Sequence, residues 1–582
     1  MSRGLLTLRR ADAFVPAWIP VLSRVGREAV ACIDYPVDRS RLLPRRLAVF
    51  GIALALVIAV QAWMGAAGVE RGIYSDDAAH FMNGMLLRDY LLQAPGTDPV
   101  AFAEQYYVHY PKIAPLMWPP LFHVTLGLTL LAGGPPGATA LLLVAVCCAW
   151  LVLRLHTIVE TLAGSLAALV AVALLLTTPL VMTMTSVVML DLIIAMFALE
   201  SAYWLVRFLK SSSSRDAIIF GVFASLACLT KGTGVIAVLL PAMVILVTGR
   251  WDLLRSRGLY LSAAVVLVLG VPLLALSAMF DAGIGDFGPV SFSLIAGRVG
   301  FYAKHLRNQI GIVPLSFALL GIAATIARAR NRPKVYLPLA EGLVALVGST
   351  IVFHLLNPHL SDSSRYLTPA IPALIGLAIL GATATVDWLG LDGRRRLPFC
   401  ALLAVIGMSA AVARVAAMPV NPLGYREVFE QLTASGQLSG RLLLVVSDEI
   451  GEGAAVTEAA VRGLDPAPVI IRGSKILARG TWMVVGSPLY ESPEAIIREL
   501  EDLHVEYVLV DRSPSGSNVP YYGQISDMVK STRVERVDAF TSRTGALPSR
   551  QLELYRVKVK SPGDPKPLRL NMEHTLGRTL QR

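Results

Sequence analysis

Two adjacent carboxylates, Asp76 and Asp77, stand in Arg71-Gly72-Ile73-Tyr74-Ser75-Asp76-Asp77-Ala78-Ala79-His80 at the opening of a helical stretch expected over 76–92. Acids at a helix start are favoured by the positive end of its dipole, and a lone aspartate there needs no further reason. A pair just beyond a long apolar run, with His80 following, has a second use. A partly dehydrated carboxylate has its pKa raised and can accept a proton as a general base. Further along, Asp191 opens an apolar run in Val187-Val188-Met189-Leu190-Asp191-Leu192, Lys231 sits between two runs in Leu229-Thr230-Lys231-Gly232-Thr233-Gly234, and Arg365 leads Ser364-Arg365-Tyr366-Leu367-Thr368-Pro369. An ionisable group costs about 2.5–3.5 kcal/mol at the centre of a bilayer and far less at its boundary, where capping alone could explain an aspartate. A lysine or arginine at that boundary can meet a phosphate, the arginine through its bidentate fork. Snorkelling to lipid headgroups is the plainer reading of the arginine.

The segments Tyr106-Tyr107-Val108-His109-Tyr110-Pro111-Lys112 and Trp118-Pro119-Pro120-Leu121-Phe122-His123 concentrate aromatic and histidine side chains between these charges. They suit an interfacial belt, and equally a cleft in which aromatic faces pack on pyranose rings. Gly232-Thr233-Gly234 is not a nucleotide loop, because no strand precedes it and the Walker pattern is absent. No dinucleotide fingerprint, HExxH or zinc-ligand spacing occurs, so the sequence predicts neither a cofactor nor a metal.

The elements that must hold these residues are membrane helices. The 582 residues are 55% hydrophobic and 16% charged, against about 25% charged in soluble domains. The apolar runs are long enough to cross a hydrocarbon core of about 30 Å and are apolar on every face. The net charge of +11 does not point to nucleic acid, because many of the basic residues lie in short links: Arg41, Arg45 and Arg46; Arg207, Lys210 and Arg215; Arg250, Arg255 and Arg257; Arg328, Arg330, Arg332 and Lys334; Arg394 to Arg396. That is how topology is written under the positive-inside rule. The five cysteines, Cys32, Cys147, Cys148, Cys228 and Cys400, imply no disulfide framework. Residues 1–45 are mixed and basic, with no cleavable leader, and form an expected cytoplasmic segment.

Expected spans are 46–66, 137–156, 163–180, 187–208, 216–231, 233–248, 258–280, 310–327, 335–356, 366–388 and 398–418. If all five basic links are cytoplasmic, an even number of crossings separates neighbours. That parity predicts that 119–133 is short and only partly inserted. It leaves a polytopic α-helical domain over 46–418, of about eleven to twelve transmembrane helices, whose outer face receives loop 67–136, 181–190, the Lys231 turn, 281–309, 357–365 and everything after about 419. The expected location is the plasma membrane, with the N-terminus cytoplasmic. After 419, apolar strand runs at 441–446, 469–471 and 505–510 alternate with helical stretches at 452–461 and 493–503, predicting an extracytoplasmic α/β domain over 419–560 with a partly parallel sheet. Residues 552–557 are expected as an edge strand, and the Pro- and charge-rich tail 561–582 as poorly ordered.

The acidic pair after the first span, the WPPLFH segment, the outer Asp191, the LTKGTG turn and SRYLTPAIPAL occur in order. Together they resemble the GT-C superfamily of glycosyltransferases, in particular the protein O-mannosyltransferase and lipid A aminoarabinose transferase-like group, over about residues 45–390. The resemblance implies an inverting transfer from a polyprenyl-phosphate sugar to an acceptor hydroxyl at the outer leaflet, the acceptor being a protein, lipid or glycan. It implies Asp76 or Asp77 as the base, with Asp76 favoured; family patterns often carry Asp-Glu there, which leaves the choice between the two open. Asp191 would orient acceptor or base, and Lys231 and Arg365 would hold the donor phosphate. His80, Tyr107, His109 and Tyr366 would contact substrate. A phosphate leaving group needs cations rather than a general acid, so one carboxylate and basic residues form a sufficient set. Two further readings remain, a lipid or glycan carrier and a non-catalytic membrane subunit, together with an oligosaccharyltransferase or polymerase of the same superfamily. A carrier is disfavoured because no internal repeat relates the halves and the polar residues gather at one face rather than at the midplane.

Overall fold

A computed structural model describes residues 39–72, 74–280, 290–331, 338–357, 362–390, 405, 423–481, 484–541, 550–558, 562–571 and 579–581. Among these, five helices are long and apolar enough to cross a membrane, or up to seven if each of two bent pairs is one span. The five are Leu43–Trp63, Pro136–Ala163, Asp191–Ser211, Ile312–Arg330 and Leu339–Leu356. The bent pairs are Ser165–Leu176 with Pro179–Thr185, at 69°, and Arg257–Leu269 with Val271–Met279, at 43°. Pro179 supplies the first bend: it has no N–H to continue the preceding ladder, and it opens the next helix instead. The apolar helices Gly232–Thr248 and Ala370–Val386 fall short of a full span by length. Each expected span up to residue 388 therefore coincides with a helix, a bent pair or a broken one, while the expected span 398–418 and the basic link 394–396 lie outside the described residues, save for residue 405.

The segment Leu121–Leu130 is a helix of only 10 residues, about 15 Å at 1.5 Å per residue. It is far too short to cross, in line with the parity of the basic links. Between lipid-immersed helices there is little hydrophobic drive, so small residues set the closest approaches. Helices Ile312–Asn331 and Ala370–Trp388 show this: a Cβ on Gly321 would lie 2.1 Å from Leu377 O, and one on Gly381 would lie 2.0 Å from Phe317 O. That contact anchors the helix directly following Arg365.

Beyond residue 423 the chain forms an α/β unit. Strands β1 (Leu442–Val446), β2 (Val469–Arg472), β5 (Tyr507–Asp511), β6 (Val534–Thr541) and β7 (Gln551–Val557) make one sheet in the order β2-β1-β5-β7-β6, while β3 (Ala478–Thr481) and β4 (Val484–Pro488) pair separately. β1 runs parallel to both β2 and β5, and β7 runs antiparallel to β5 and β6. β1, β2 and β5 are buried on both faces, which is why they read as continuous apolar runs. Two expectations are corrected here. Strand 552–557 is not an edge, because β6 covers it; β6 is largely exposed and lacks the apolar pattern that would have announced it. The tail is not unstructured over its described part: Leu568 and Leu570 bury against the domain, and β8 (Arg569–Asn571) pairs with β9 (Thr579–Gln581).

The α/β unit docks on the segment that follows the first span. Glu70 accepts from the backbone N–H groups of Leu423 (2.8 Å) and Arg426 (3.0 Å). Arg472 Nη1 donates to Pro111 O at 3.2 Å, and His109 Nδ1 donates to Pro468 O at 3.0 Å.

Candidate active site

Asp76 and Asp77 sit in the first turn of helix Ser75–Gln93, as the sequence predicts, but their surroundings differ sharply. Asp77 is fully buried, and its two oxygens accept from Gly72 N and Val188 N, each at 2.8 Å. It thereby ties the loop leading to Asp191 onto the helix that carries Asp76. Asp76 is partly open and forms a 2.8 Å ion pair with Arg365 Nη1. Burial pushes the Asp76 carboxyl up, yet Arg365, Lys231 and Lys112 together hold it below the usual carboxylate value. The sequence reading expected a raised pKa; the nearby cations reverse it.

Asp191 is the first residue of helix Asp191–Ser211, and its Oδ1 lies 3.5 Å from Lys231 Nζ. Both side chains are buried. Lys231 ends helix Ser214–Thr230 and enters a tight 3-10 turn, Gly232–Gly234. Glycine is required at the end of that turn, because a Cβ on Gly234 would sit 2.0 Å from Ala227 O. Arg365 lies in another 3-10 turn, Ser364–Leu367. Tyr366 beside it gathers the basic groups: Lys231 Nζ and Arg365 Cζ each lie 5.3 Å from its ring centre. Such cation–π placement holds the cations near one another without neutralising them.

His80 lies one helical turn beyond Asp76. It is buried, with Nδ1 3.1 Å from His123 Nε2 and its ring 4.3 Å from that of Trp118. Burial, then His123, Lys231 and Arg365, hold His80 well below the usual histidine value, so the ring is neutral. Asn83, nearly another turn on, clamps the loop before Trp118 through both backbone groups of Ala114.

Four buried atoms in this region have no hydrogen-bond partner: Asp191 Oδ2, Arg365 Nε, His80 Nε2 and His354 Nε2. Buried polar groups are paired in the great majority of cases, so four such atoms in one neighbourhood mark it as a candidate site. The structure thus brings together Asp76, Asp191, Lys231, Arg365, Tyr366 and His80, with Asp77 supporting them. It does not bring Tyr107 or His109 there. Tyr107 is buried near Arg472, and His109 is engaged with Pro468 at the docked α/β unit.

Residues the sequence reading did not single out also contribute. Lys112 is buried, 3.6 Å from Glu449 and within electrostatic reach of Asp76. Like Lys231, it lies in a segment expected on the outer face, where the positive-inside rule would not put a lysine. His354 announces itself only as an ionisable residue inside an apolar span. Among the described residues no group of three or more His, Cys, Asp or Glu could hold a metal ion.

Residues 118–275 match the family described as dolichyl-phosphate-mannose-protein mannosyltransferase. The crystal structure of ArnT from Cupriavidus metallidurans in the apo state superposes with a TM-score of 0.51 at 16% identity, covering 88% of this chain and 98% of that one. The same protein bound to undecaprenyl phosphate gives 0.48 at 16% identity over 88% and 99%. Arabinosyltransferase EmbB from Mycobacterium smegmatis gives 0.39 at 16% over 72% and 45%. No curated protein sequence matches the chain. The apo ArnT comparison shows a shared fold. With that fold, and with the match to the mannosyltransferase family over residues 118–275, this multi-pass membrane protein is similar to membrane glycosyltransferases of the ArnT kind.

Proposed function

We propose that the protein transfers a sugar from a polyprenyl-phosphate donor to an acceptor hydroxyl at the outer face of the plasma membrane, with inversion. The observation that carries this reading is a partly exposed carboxylate, Asp76, paired with Arg365 and close to a second cation, Lys231, packed on the same tyrosine, amid buried polar atoms that lack partners. The family description, which names a dolichyl-phosphate sugar, is in keeping with such a donor.

In this mechanism Asp76 accepts the proton of the acceptor hydroxyl as its oxygen attacks the anomeric carbon. The bond from that carbon to the phosphate oxygen breaks, and the phosphate leaves as an anion. Lys231 and Arg365 bind the phosphate and stabilise its growing charge, so no general acid is required. Binding would draw Arg365 partly away from Asp76 and free the base. Asp191, held by Lys231, keeps that cation oriented and offers its open Oδ2 to a hydroxyl. Asp77 positions rather than reacts. The α/β unit, about 419–560, lies on the same outer side and covers the loop that bears Asp76.

Lipid extraction from cells lacking the protein tests the reading. A polyprenyl-phosphate sugar should accumulate and should clear on expression of the wild type but not of Asp76→Asn. Clearance by Asp76→Asn at the wild-type rate, in folded protein, would remove the base assignment; failure of any such lipid to accumulate would count against the donor class.

A further inference from the structure

His354 has no part in the mechanism above, yet it is built into the same site. It lies in the last turn of helix Pro338–Leu356 and is 3% exposed. Its Nδ1 is 2.7 Å from Thr350 O. A carbonyl oxygen can only accept, so Nδ1 carries the proton, and in the neutral ring Nε2 is left as a bare acceptor. That Nε2 is buried and has no partner.

The ring is also held in place. It stacks on Tyr366 at 5.3 Å and 30°, the same ring that receives Lys231 and Arg365. Tyr302 meets it edge-on at 6.2 Å. Arg298, paired with Asp362 at 3.3 Å, donates to the carbonyls of His354 (3.0 Å) and Asn357 (2.6 Å), which fixes the end of the helix. A histidine that merely filled space would not need its tautomer and its backbone both fixed.

The chemistry of His354 Nε2, a bare acceptor, narrows what can bond to it. A phosphate anion brings only acceptors, and a polyprenyl tail brings neither donor nor acceptor. A hydroxyl brings a donor. The His354 ring stacks on Tyr366, the ring that gathers Lys231 and Arg365. His354 therefore lies beside the proposed phosphate-binding cations, within reach of a sugar joined to that phosphate. Resting on the glycosyl-transfer reading, we propose that His354 Nε2 accepts a hydrogen bond from one hydroxyl of the donor sugar and so determines which sugar is transferred.

The test uses full-length protein, the donor that accumulates in cells lacking it, and singly deoxygenated analogues of that donor. His354→Phe keeps a ring on Tyr366 and removes Nε2. The wild type should discriminate against one deoxy analogue by about 10–100-fold in kcat/KM, because that analogue leaves Nε2 unpaired. In His354→Phe that preference should collapse, and His354→Gln, which keeps an acceptor, should recover part of it. Undiminished discrimination at every position in His354→Phe would overturn the proposal. So would loss of binding to polyprenyl phosphate alone in that variant, since Nε2 has no role at the phosphate. A wild type that neither binds polyprenyl phosphate nor transfers any sugar would instead remove the glycosyl-transfer reading itself.

Discussion

Two of the buried charge clusters among the described residues, one at the ends of the membrane helices around Tyr366 and one in the α/β unit, are built on opposite principles. In the α/β unit the cluster lies where β1 and β5 end side by side, the crevice that holds ligands in open α/β sheets. Here the chain's own Arg550 fills it. Arg550 bonds both oxygens of Asp448 at 3.0 Å, pairs with Asp511, and reaches Ser447 at 3.1 Å. Asp511 also accepts from Ser447 at 2.7 Å and from Ser513 N at 2.9 Å. Among the described residues, no fully buried side-chain nitrogen or oxygen of this network is left without a partner. The membrane cluster around Tyr366 has comparable charge but leaves an oxygen of Asp191 and nitrogens of Arg365, His80 and His354 unsatisfied. A closed network of this kind holds a fold together; the open one is the proposed substrate site.

The comparison breaks if the two clusters respond alike to substitution. The largest effect is expected from Asp76→Asn, which should lower transfer by about 10²–10⁴-fold while leaving thermal unfolding in detergent unchanged. Arg550→Ala should do the reverse. Stranding the buried Asp511 should cost about 3–5 kcal/mol, read as a fall in the unfolding temperature, while the protein that remains folded transfers sugar normally. Asp77→Asn sharpens the contrast within a single turn of helix. An amide can keep only one of the two backbone bonds, so stability should fall by about 1–3 kcal/mol, with transfer per folded molecule largely kept.

The smallest effect is on pH dependence. The Asp76 carboxyl is held below its ordinary value, so its basic form persists through neutral pH, and activity should fall only below the ordinary carboxylate range. The native-state benefit of its ion pair is likewise present above the unfolded carboxylate pKa and is lost as pH falls through the lower folded value. Arg365→Met removes the main opposing charge and leaves burial in command, so the acid limb of the kcat/KM profile should move to higher pH. An acid limb that stays in place would show that Arg365 does not set the protonation of Asp76.

Much of this was readable from the chain. Apolar runs and basic links are written directly in residue type, so the helices, and the shortness of Leu121–Leu130, followed from length and parity. The strands β1, β2 and β5 were legible for the same reason, being apolar throughout. β6 was not, because an exposed strand carries no burial pattern. At the site, Asp76, Asp191, Lys231 and Arg365 could be picked out as charges at span boundaries. The division of labour between Asp76 and Asp77 could not, since it depends on the Val188 amide, 111 residues away in sequence. Nor could the role proposed for His354, which depends on a ring stack with Tyr366 and a tautomer set by a backbone carbonyl.

The claim that the open cluster is a ligand site is tested most directly by the affinity for polyprenyl phosphate of the wild type, Lys231→Met/Arg365→Met and Arg550→Ala, each measured on folded protein. Removing two charge-assisted contacts should weaken binding by at least about 10²-fold in the double variant, and Arg550→Ala should bind as the wild type does. Equal affinity in the wild type and the double variant would contradict the account.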